Sequence, residues 1–186
     1  MRLTLFISAL VLFVACKKGE PAPEPIIITE PPVIEFGKSS MLKDGQVWSI
    51  PLKATVYNAF GGIQTLRIGG TRYLSNGLVE EKFSFLDVIS QKGKYSLSCN
   101  CGAQPPDGVP DASIGWIVDK DQVAGGMIAD TTKTGDYIEI LRYDSVQQTV
   151  EGRFQAHMKN RYSVPLPWNL PNEVFISEGK FNLKIE

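Results

Sequence analysis

The sequence predicts an all-β fold, an antiparallel β-sandwich or flattened barrel of roughly 8–10 strands. Three observations predict it. Beyond residue 40, apolar and polar residues alternate with a period of two. No segment of about ten residues or more has helical periodicity. Turn-forming residues separate the alternating segments, as they do between the short strands of such folds. We expect residues 40–186 to form one domain, since a length of about 150 residues is common for a single domain.

The first clear strand contains a proline. Alternate residues of the segment 48–56 are apolar and would share one face: Trp48, Ile50, Leu52, Ala54 and Val56. The intervening residues are polar or proline, which is typical of a strand with one buried and one solvated face. Pro51 has no N–H to donate, so we expect this strand to lie at a sheet edge or to carry a bulge.

Two strands near the end of the chain have the clearest alternation. In the first of them, the residues predicted to face the core are Val150, Gly152, Phe154, Ala156 and Met158. In the second they are Phe181, Leu183 and Ile185, but Val174 and Ile176 are out of phase with these three. Gly179 lies between the two sets, and we therefore expect a β-bulge there.

The first fifteen residues have the pattern of a secretory signal. Arg2 precedes an apolar run over residues 3–15, which is shorter than the roughly 20 residues that a membrane-spanning helix needs. The run ends in Phe13-Val14-Ala15-Cys16, which resembles the lipobox of bacterial lipoproteins. The resemblance implies cleavage before Cys16 and acyl chains, such as palmitate, that anchor the mature chain to a membrane. Lys17 stands where an inner-membrane retention signal would place aspartate, so the outer membrane is favoured, with its face left open.

Residues 16–39 are predicted to form a tether after the lipidated cysteine. Five of the chain's twelve prolines lie in this region, together with several glutamates. Such composition is typical of an extended, semi-rigid spacer. The tether would hold the folded domain away from the lipid surface.

Charge and histidine content exclude several functions. The formal net charge is −1 and the sequence has no run of lysine or arginine, so we expect no nucleic-acid partner. His157 is the only histidine and lies on the polar face of its strand, where we interpret it as a solvated surface residue. No Gly-x-Ser-x-Gly motif supplies a nucleophile for it. We therefore predict a protein that is not an enzyme, with no cofactor and no metal.

Cys99-Asn100-Cys101 is the most unusual local motif. An exported compartment favours oxidised thiols, so a disulfide between Cys99 and Cys101 is the favoured reading. Metal binding is an alternative, but zinc sites use a second pair or histidines. Redox chemistry is another, but its motif has two residues between the cysteines.

Acidic residues and one long loop complete the candidate sites. Asp107, Asp111, Asp119 and Asp121 lie in two loops without the spacing of a calcium loop, and polar turns are the simpler interpretation. A long loop, residues 160–173, offers a stacking platform for a sugar or peptide, and it would use Arg161, Tyr162, Trp168 and Asn169. Its aromatic residues would otherwise cap one end of the sandwich.

The order of features from residue 41 onward resembles uncharacterised small lipoproteins of Bacteroidota-type envelopes. The matching motifs are the Asp44-Gly45-Gln46-Val47-Trp48 start, the Val150–Phe154 strand and the closing Val174–Phe181 segment. The resemblance implies the same fold and cellular location, and it implies nothing about a catalytic activity.

These observations favour a non-enzymatic outer-membrane lipoprotein whose β domain binds an envelope protein or a glycan. One alternative is a glycan-active hydrolase that uses carboxylates distant from each other in sequence. Another is a lipocalin-like carrier with an apolar ligand inside a closed barrel.

Overall fold

The computed structural model describes residues 34–58, 64–74, 80–99, 108–119, 122–161 and 170–186. Val33–Glu186 form one compact unit, and the other unit, Met1–Pro32, lies outside the described residues. Within the described ranges no helix has the length and apolarity needed to cross a membrane. The strands of the described residues are β1 (Lys38–Lys43), β2 (Gln46–Val47), β3 (Leu52–Asn58), β4 (Gln64–Tyr73), β5 (Glu80–Ile89), β6 (Gly93–Ser96), β7 (Asp111–Asp119), β8 (Gln122–Ala129), β9 (Tyr137–Asp144), β10 (Thr149–Asn160) and β11 (Glu173–Lys184).

All strands belong to one antiparallel sheet, which confirms the predicted fold class. The hydrogen-bonded order is β2-β1-β11-β10-β8-β7-β5-β4-β3. The sheet is not closed: β3 lies at one end of this order, and Ala54 in it forms an isolated parallel bridge with Ile185, which follows β11. β10 pairs with β9 along its first part and with β8 along its last part, and β6 extends the β9 branch. The strand number exceeds the predicted 8–10 because β2 and β6 are short strands.

In the first patterned region Trp48, Ile50, Leu52 and Ala54 are buried and Val56 is partly buried. The strand there begins only at Leu52, directly after Pro51, and β3 lies at the end of the hydrogen-bonded order. The pairing of β11 with both β1 and β10 shifts register near Gly179, and Glu178 there has a positive φ of 51°, so the predicted bulge is confirmed. β1 begins at Lys38, two residues before the expected domain start.

The interior is filled by aromatic side chains. Phe83, Phe85, Phe154 and Phe181 are each at most 1% exposed. Phe154 contacts the other three, with ring centroids 5.6, 4.8 and 6.2 Å away. These phenylalanines come from β5, β10 and β11, so their packing joins strands that lie far apart in the sheet order.

Two glycines make room for two of these rings. Gly152 is paired with Phe181 and Gly179 with Phe154, on the same two strands. A Cβ on Gly152 would collide with the Phe181 ring, and one on Gly179 would collide with the Phe154 ring. Each glycine therefore lies beneath the aromatic ring of its cross-strand partner, and the bulge at Gly179 bends the strand over this contact.

We expect Gly152→Ala to destabilise the fold by about 1–3 kcal/mol, because a methyl group in a filled core forces rings and backbone to shift. The measurement is the urea midpoint of the purified full chain. Gly115→Ala is the matched control, since a Cβ there meets no atom within 4 Å. It should stay within about 0.5 kcal/mol of wild type. Equal effects of the two substitutions would contradict the packing account.

Candidate functional site

The predicted cysteine sites lie mainly outside the described residues. Cys16, the expected lipidation site, and Cys101 are not among them. Cys99 is described, and it is disulfide-bonded. The pairing of Cys99 with Cys101 therefore stays a prediction, as does lipidation.

The predicted binding loop, residues 160–173, is described only at its two ends, 160–161 and 170–173. Tyr162, Trp168 and Asn169 lie outside the described residues. Arg161 follows β10, and its backbone N–H donates to the carbonyl of Gly126 at 3.0 Å. At the other end, the Asn172 carbonyl accepts the backbone N–H of Asn160 at 2.8 Å. Ligand binding by the loop stays a prediction.

Asp111 differs from a residue of a polar turn. It opens β7, is 7% exposed, and its Oδ1 has no hydrogen-bond partner among the described residues. Burial, then the charge of Asp87, raise the pKa of Asp111, and the charge of Arg161 lowers it in part. Asp107 and Asp121 lie outside the described residues, as does the side chain of Asp119. Among the described residues no group of three His, Cys, Asp or Glu side chains is placed to hold a metal.

His157 is not the solvated surface residue that its strand face indicated. Its Nδ1 lies 2.7 Å from Asp136 Oδ1, and the second carboxylate oxygen accepts the His157 backbone N–H at 2.8 Å. Its ring stacks on Phe175 with centroids 4.2 Å apart. The sequence reasoning was wrong because the β8–β9 turn, which carries Asp136, folds against β10 only in the tertiary structure. A positioned imidazole needs a nucleophile for triad chemistry, and no contact of His157 with a Ser, Thr or Cys side chain is observed in the described part of the chain.

Asp130 begins the same β8–β9 turn. Its Oδ1 accepts hydrogen bonds from Lys159 Nζ at 2.7 Å and from the Thr132 hydroxyl at 2.8 Å. The hydrogen bond from Lys159 is the largest influence, and with those from Thr132 it outweighs burial and lowers the pKa of Asp130 to about 2. Both aspartates of the turn are therefore held by β10, which fixes the turn rather than leaving acidic groups available to a ligand.

A buried carboxylate joins four donors at one end of the interior. Glu81 of β5 is 1% exposed. Its Oε1 accepts from Lys43 Nζ at 2.7 Å and from Trp116 Nε1 at 3.0 Å. Its Oε2 accepts from Arg72 Nη2 at 2.6 Å and from Trp48 Nε1 at 3.0 Å. Because both oxygens are fully engaged, this carboxylate is structural rather than available as a general base.

The electrostatics of this cluster favour the charged carboxylate. Burial raises the pKa of Glu81, but the hydrogen bond and charge of Lys43, the Trp48 indole and the charge of Arg72 together lower it below its ordinary value. Lys43 Nζ also lies 4.9 Å from the centre of the Trp48 ring and 5.5 Å from that of Trp116. Two cations share one carboxylate, so the cluster keeps one positive charge in excess.

A groove of about 560 Å³ follows β4 and is flanked by β3 and β5. We call it the β4 groove. Its lining includes three cations, Lys53 of β3, Arg67 of β4 and Lys82 of β5. No carboxylate, thiol or imidazole belongs to the described lining. The groove therefore suits the binding of an anion better than acid–base chemistry.

Gly69 forms the floor of the β4 groove. A Cβ at this position would lie 2.7 Å from the Phe83 carbonyl oxygen and 2.9 Å from Ser84 Cβ, so only glycine fits. Gly69 pairs with Lys53 on one side and Ser84 on the other. The missing side chain leaves a depression between those two flanking residues.

Sequence reasoning missed the groove because its three cations are far apart in the chain. Each lies on the polar face of a different strand, and no local run of positive charge signals them. The available signal was a Gly69-Gly70 pair inside a strand pattern, which often marks a place where a ligand or backbone approaches closely.

Comparison of the chain with protein-family models, with curated proteins and with solved structures found no match.

We expect Glu81→Gln to lower the free energy of unfolding by about 3 kcal/mol, because it leaves Lys43 and Arg72 without their counter-charge. Urea unfolding of the purified full chain measures this. Glu80→Gln is the matched control, since Glu80 pairs only with the half-exposed Lys82 and such pairs contribute at most about 1 kcal/mol. Similar losses in both variants would contradict the role given to Glu81.

We expect the side-chain carboxyl of Asp130 to titrate near pH 2 in carbon-13 NMR. The lowered pKa means that this group stabilises the fold above its ordinary pKa of 3.8 and loses that contribution as the pH falls towards 2. Lys159→Met should move the midpoint up towards 3.8, because it removes the strongest donor. An unchanged midpoint in this variant would show that Lys159 is not the cause.

Proposed function

We propose that this chain is a lipid-anchored, non-enzymatic binding module of the outer membrane. The observation that carries the binding role is the β4 groove, whose described lining combines cations and hydroxyls without a carboxylate or histidine. Proteins often bind ligands in clefts of this kind, which a rigid scaffold holds in shape. Here the aromatic core of β5, β10 and β11 supplies the rigid scaffold.

The anchor in this proposal rests on residues 1–39. The short apolar run that ends at Cys16 supports lipidation, and the prolines after it support a tether. More than one acyl chain is needed for stable attachment, and bacterial lipoproteins normally carry three. The folded unit would then stand off the bilayer with its outer faces accessible.

The two alternatives have less support. A carboxylate-based hydrolase needs two acidic groups with separated pKa values facing a substrate cleft. Burial raises the pKa of Asp111, but Asp111 does not belong to the described lining of the β4 groove. A carrier of an apolar ligand needs an open interior, whereas Trp116 and the four core phenylalanines fill the described one.

We expect wild-type chain expressed in a Gram-negative bacterium to incorporate an alkyne-labelled palmitate and to partition into the detergent phase of Triton X-114. Cys16→Ala should lose both, because the thiol that takes the lipid is absent. Cys99→Ala is the control and should keep both. Equal labelling of wild type and Cys16→Ala would overturn the anchor.

A further inference from the structure

We propose that the β4 groove binds an acidic polysaccharide, a chain whose sugars carry repeated anionic groups. The proposal rests on the proposed binding function and gives that function a ligand class. The argument depends on the spacing of the cations, on the other groups that line the groove, and on how weakly those cations are engaged within the protein.

The cations are staggered along the groove rather than gathered at one point. Arg67 lies on β4, Lys53 lies beside Gly69, and Lys82 lies beside Thr71. Successive outward positions on a strand are about 7 Å apart, so a positive charge recurs at about that interval. A single small anion would contact only one of the three, whereas a chain with repeated anionic groups contacts all of them.

The remaining groups of the lining suit sugar rings. Thr55, Thr71 and Ser84 belong to the same lining, and their hydroxyls can exchange hydrogen bonds with sugar hydroxyls. The Ser84 hydroxyl also shares a hydrogen bond of 3.0 Å with that of Ser113. Tyr73 lies at one end of the groove and is 75% exposed. An aromatic ring held open to solvent offers a flat apolar face on which a sugar ring can stack. The volume of about 560 Å³ falls in the usual range of about 300–1,000 Å³ for ligand sites.

The cations are available to a ligand. The guanidinium of Arg67 forms no hydrogen bond or ion pair with the described residues. Lys53 pairs with Glu186 at 3.1 Å and Lys82 with Glu80 at 2.9 Å. The side chains of Lys53, Glu186 and Lys82 are more than half exposed, and that of Glu80 is 22% exposed. Exposed pairs of this kind contribute at most about 1 kcal/mol. A ligand carboxylate can therefore replace either glutamate at little cost.

Nucleic acid also carries repeated negative charge, but it fits less well. The chain as a whole has a formal net charge of −1, so its overall field does not attract a nucleic acid. Single-stranded nucleic acid is bound on successive aromatic platforms, whereas Tyr73 is the single aromatic residue with an exposed ring in the described lining. The hydroxyl groups of the groove lining favour a saccharide.

The test is calorimetric titration of the full chain, purified in a neutral detergent, with tetragalacturonate at low salt. Maltotetraose is the uncharged probe, a heparin tetrasaccharide the sulfated one, and a short oligothymidylate the nucleic-acid probe. Arg67→Gln removes the cation whose guanidinium has no partner among the described residues, and Arg142→Gln is its control on β9, outside the groove. Thr55→Glu places a carboxylate beside Arg67, and Thr55→Gln has the same size without the charge.

We expect tetragalacturonate or the heparin fragment to bind and maltotetraose not to bind. Arg67→Gln should weaken binding by about tenfold, the loss of one charge-assisted hydrogen bond, and Arg142→Gln by less than about twofold. Thr55→Glu should bind at least about tenfold more weakly than Thr55→Gln. An unchanged urea midpoint verifies that a variant is folded. If Thr55→Glu does not fold, the comparison of Arg67→Gln with Arg142→Gln decides the test.

Three results would overturn the proposal. They are no binding of either acidic probe, equal effects of Arg67→Gln and Arg142→Gln, or oligothymidylate binding as tightly as the acidic sugars. If acidic sugars bind without any dependence on Arg67, the groove proposal fails while the binding module stands. Loss of the anchor is measured separately through Cys16→Ala, so failure of the anchor and failure of the groove are distinguishable.

Discussion

The structure depends on one buried carboxylate more than on any other polar group. Glu81 lies on β5, while Lys43 lies on β1, and these strands are far apart in the hydrogen-bonded order. Their ion pair therefore crosses the interior instead of joining two hydrogen-bonded neighbouring strands. Arg72 and Trp116 flank Glu81 on neighbouring strands, so the carboxylate links adjacent strands and opposite walls together. A buried charge without these donors would cost several kcal/mol, which makes the five side chains interdependent.

The rest of the interior is held by shape. Gly152 and Gly179 give up their side chains so that Phe181 and Phe154 can lie over them, and the rings then contact the phenylalanines of β5. Since an interior packed to this density deforms little, the outer face of the sheet keeps its contour. On the outer face Gly69 likewise has no side chain, which leaves a depression with the backbone of β5 close beneath it.

The proposed function follows from this division between a rigid inside and a contoured outside. On the inward faces of β4 and β5, Arg72 donates to the buried carboxylate of Glu81. The outward faces of the same strands carry Arg67 and Lys82, which line the β4 groove. A tethered domain with such a surface is suited to holding a charged chain, and the sequence features of residues 1–39 supply the tether in the proposal.

The sequence by itself determined the fold class, the core-facing residues of β3 and β10, the edge position indicated by Pro51 and the bulge at Gly179. Those features depend on local periodicity and on the backbone limits of proline and glycine, which are properties of a few adjacent residues. Only the tertiary structure decided that Asp136 holds His157, that Glu81 collects four donors, and that three separate cations share one groove. Each of these depends on which strands become neighbours. The pattern of charged and apolar residues within one segment does not indicate which distant segment it will pair with.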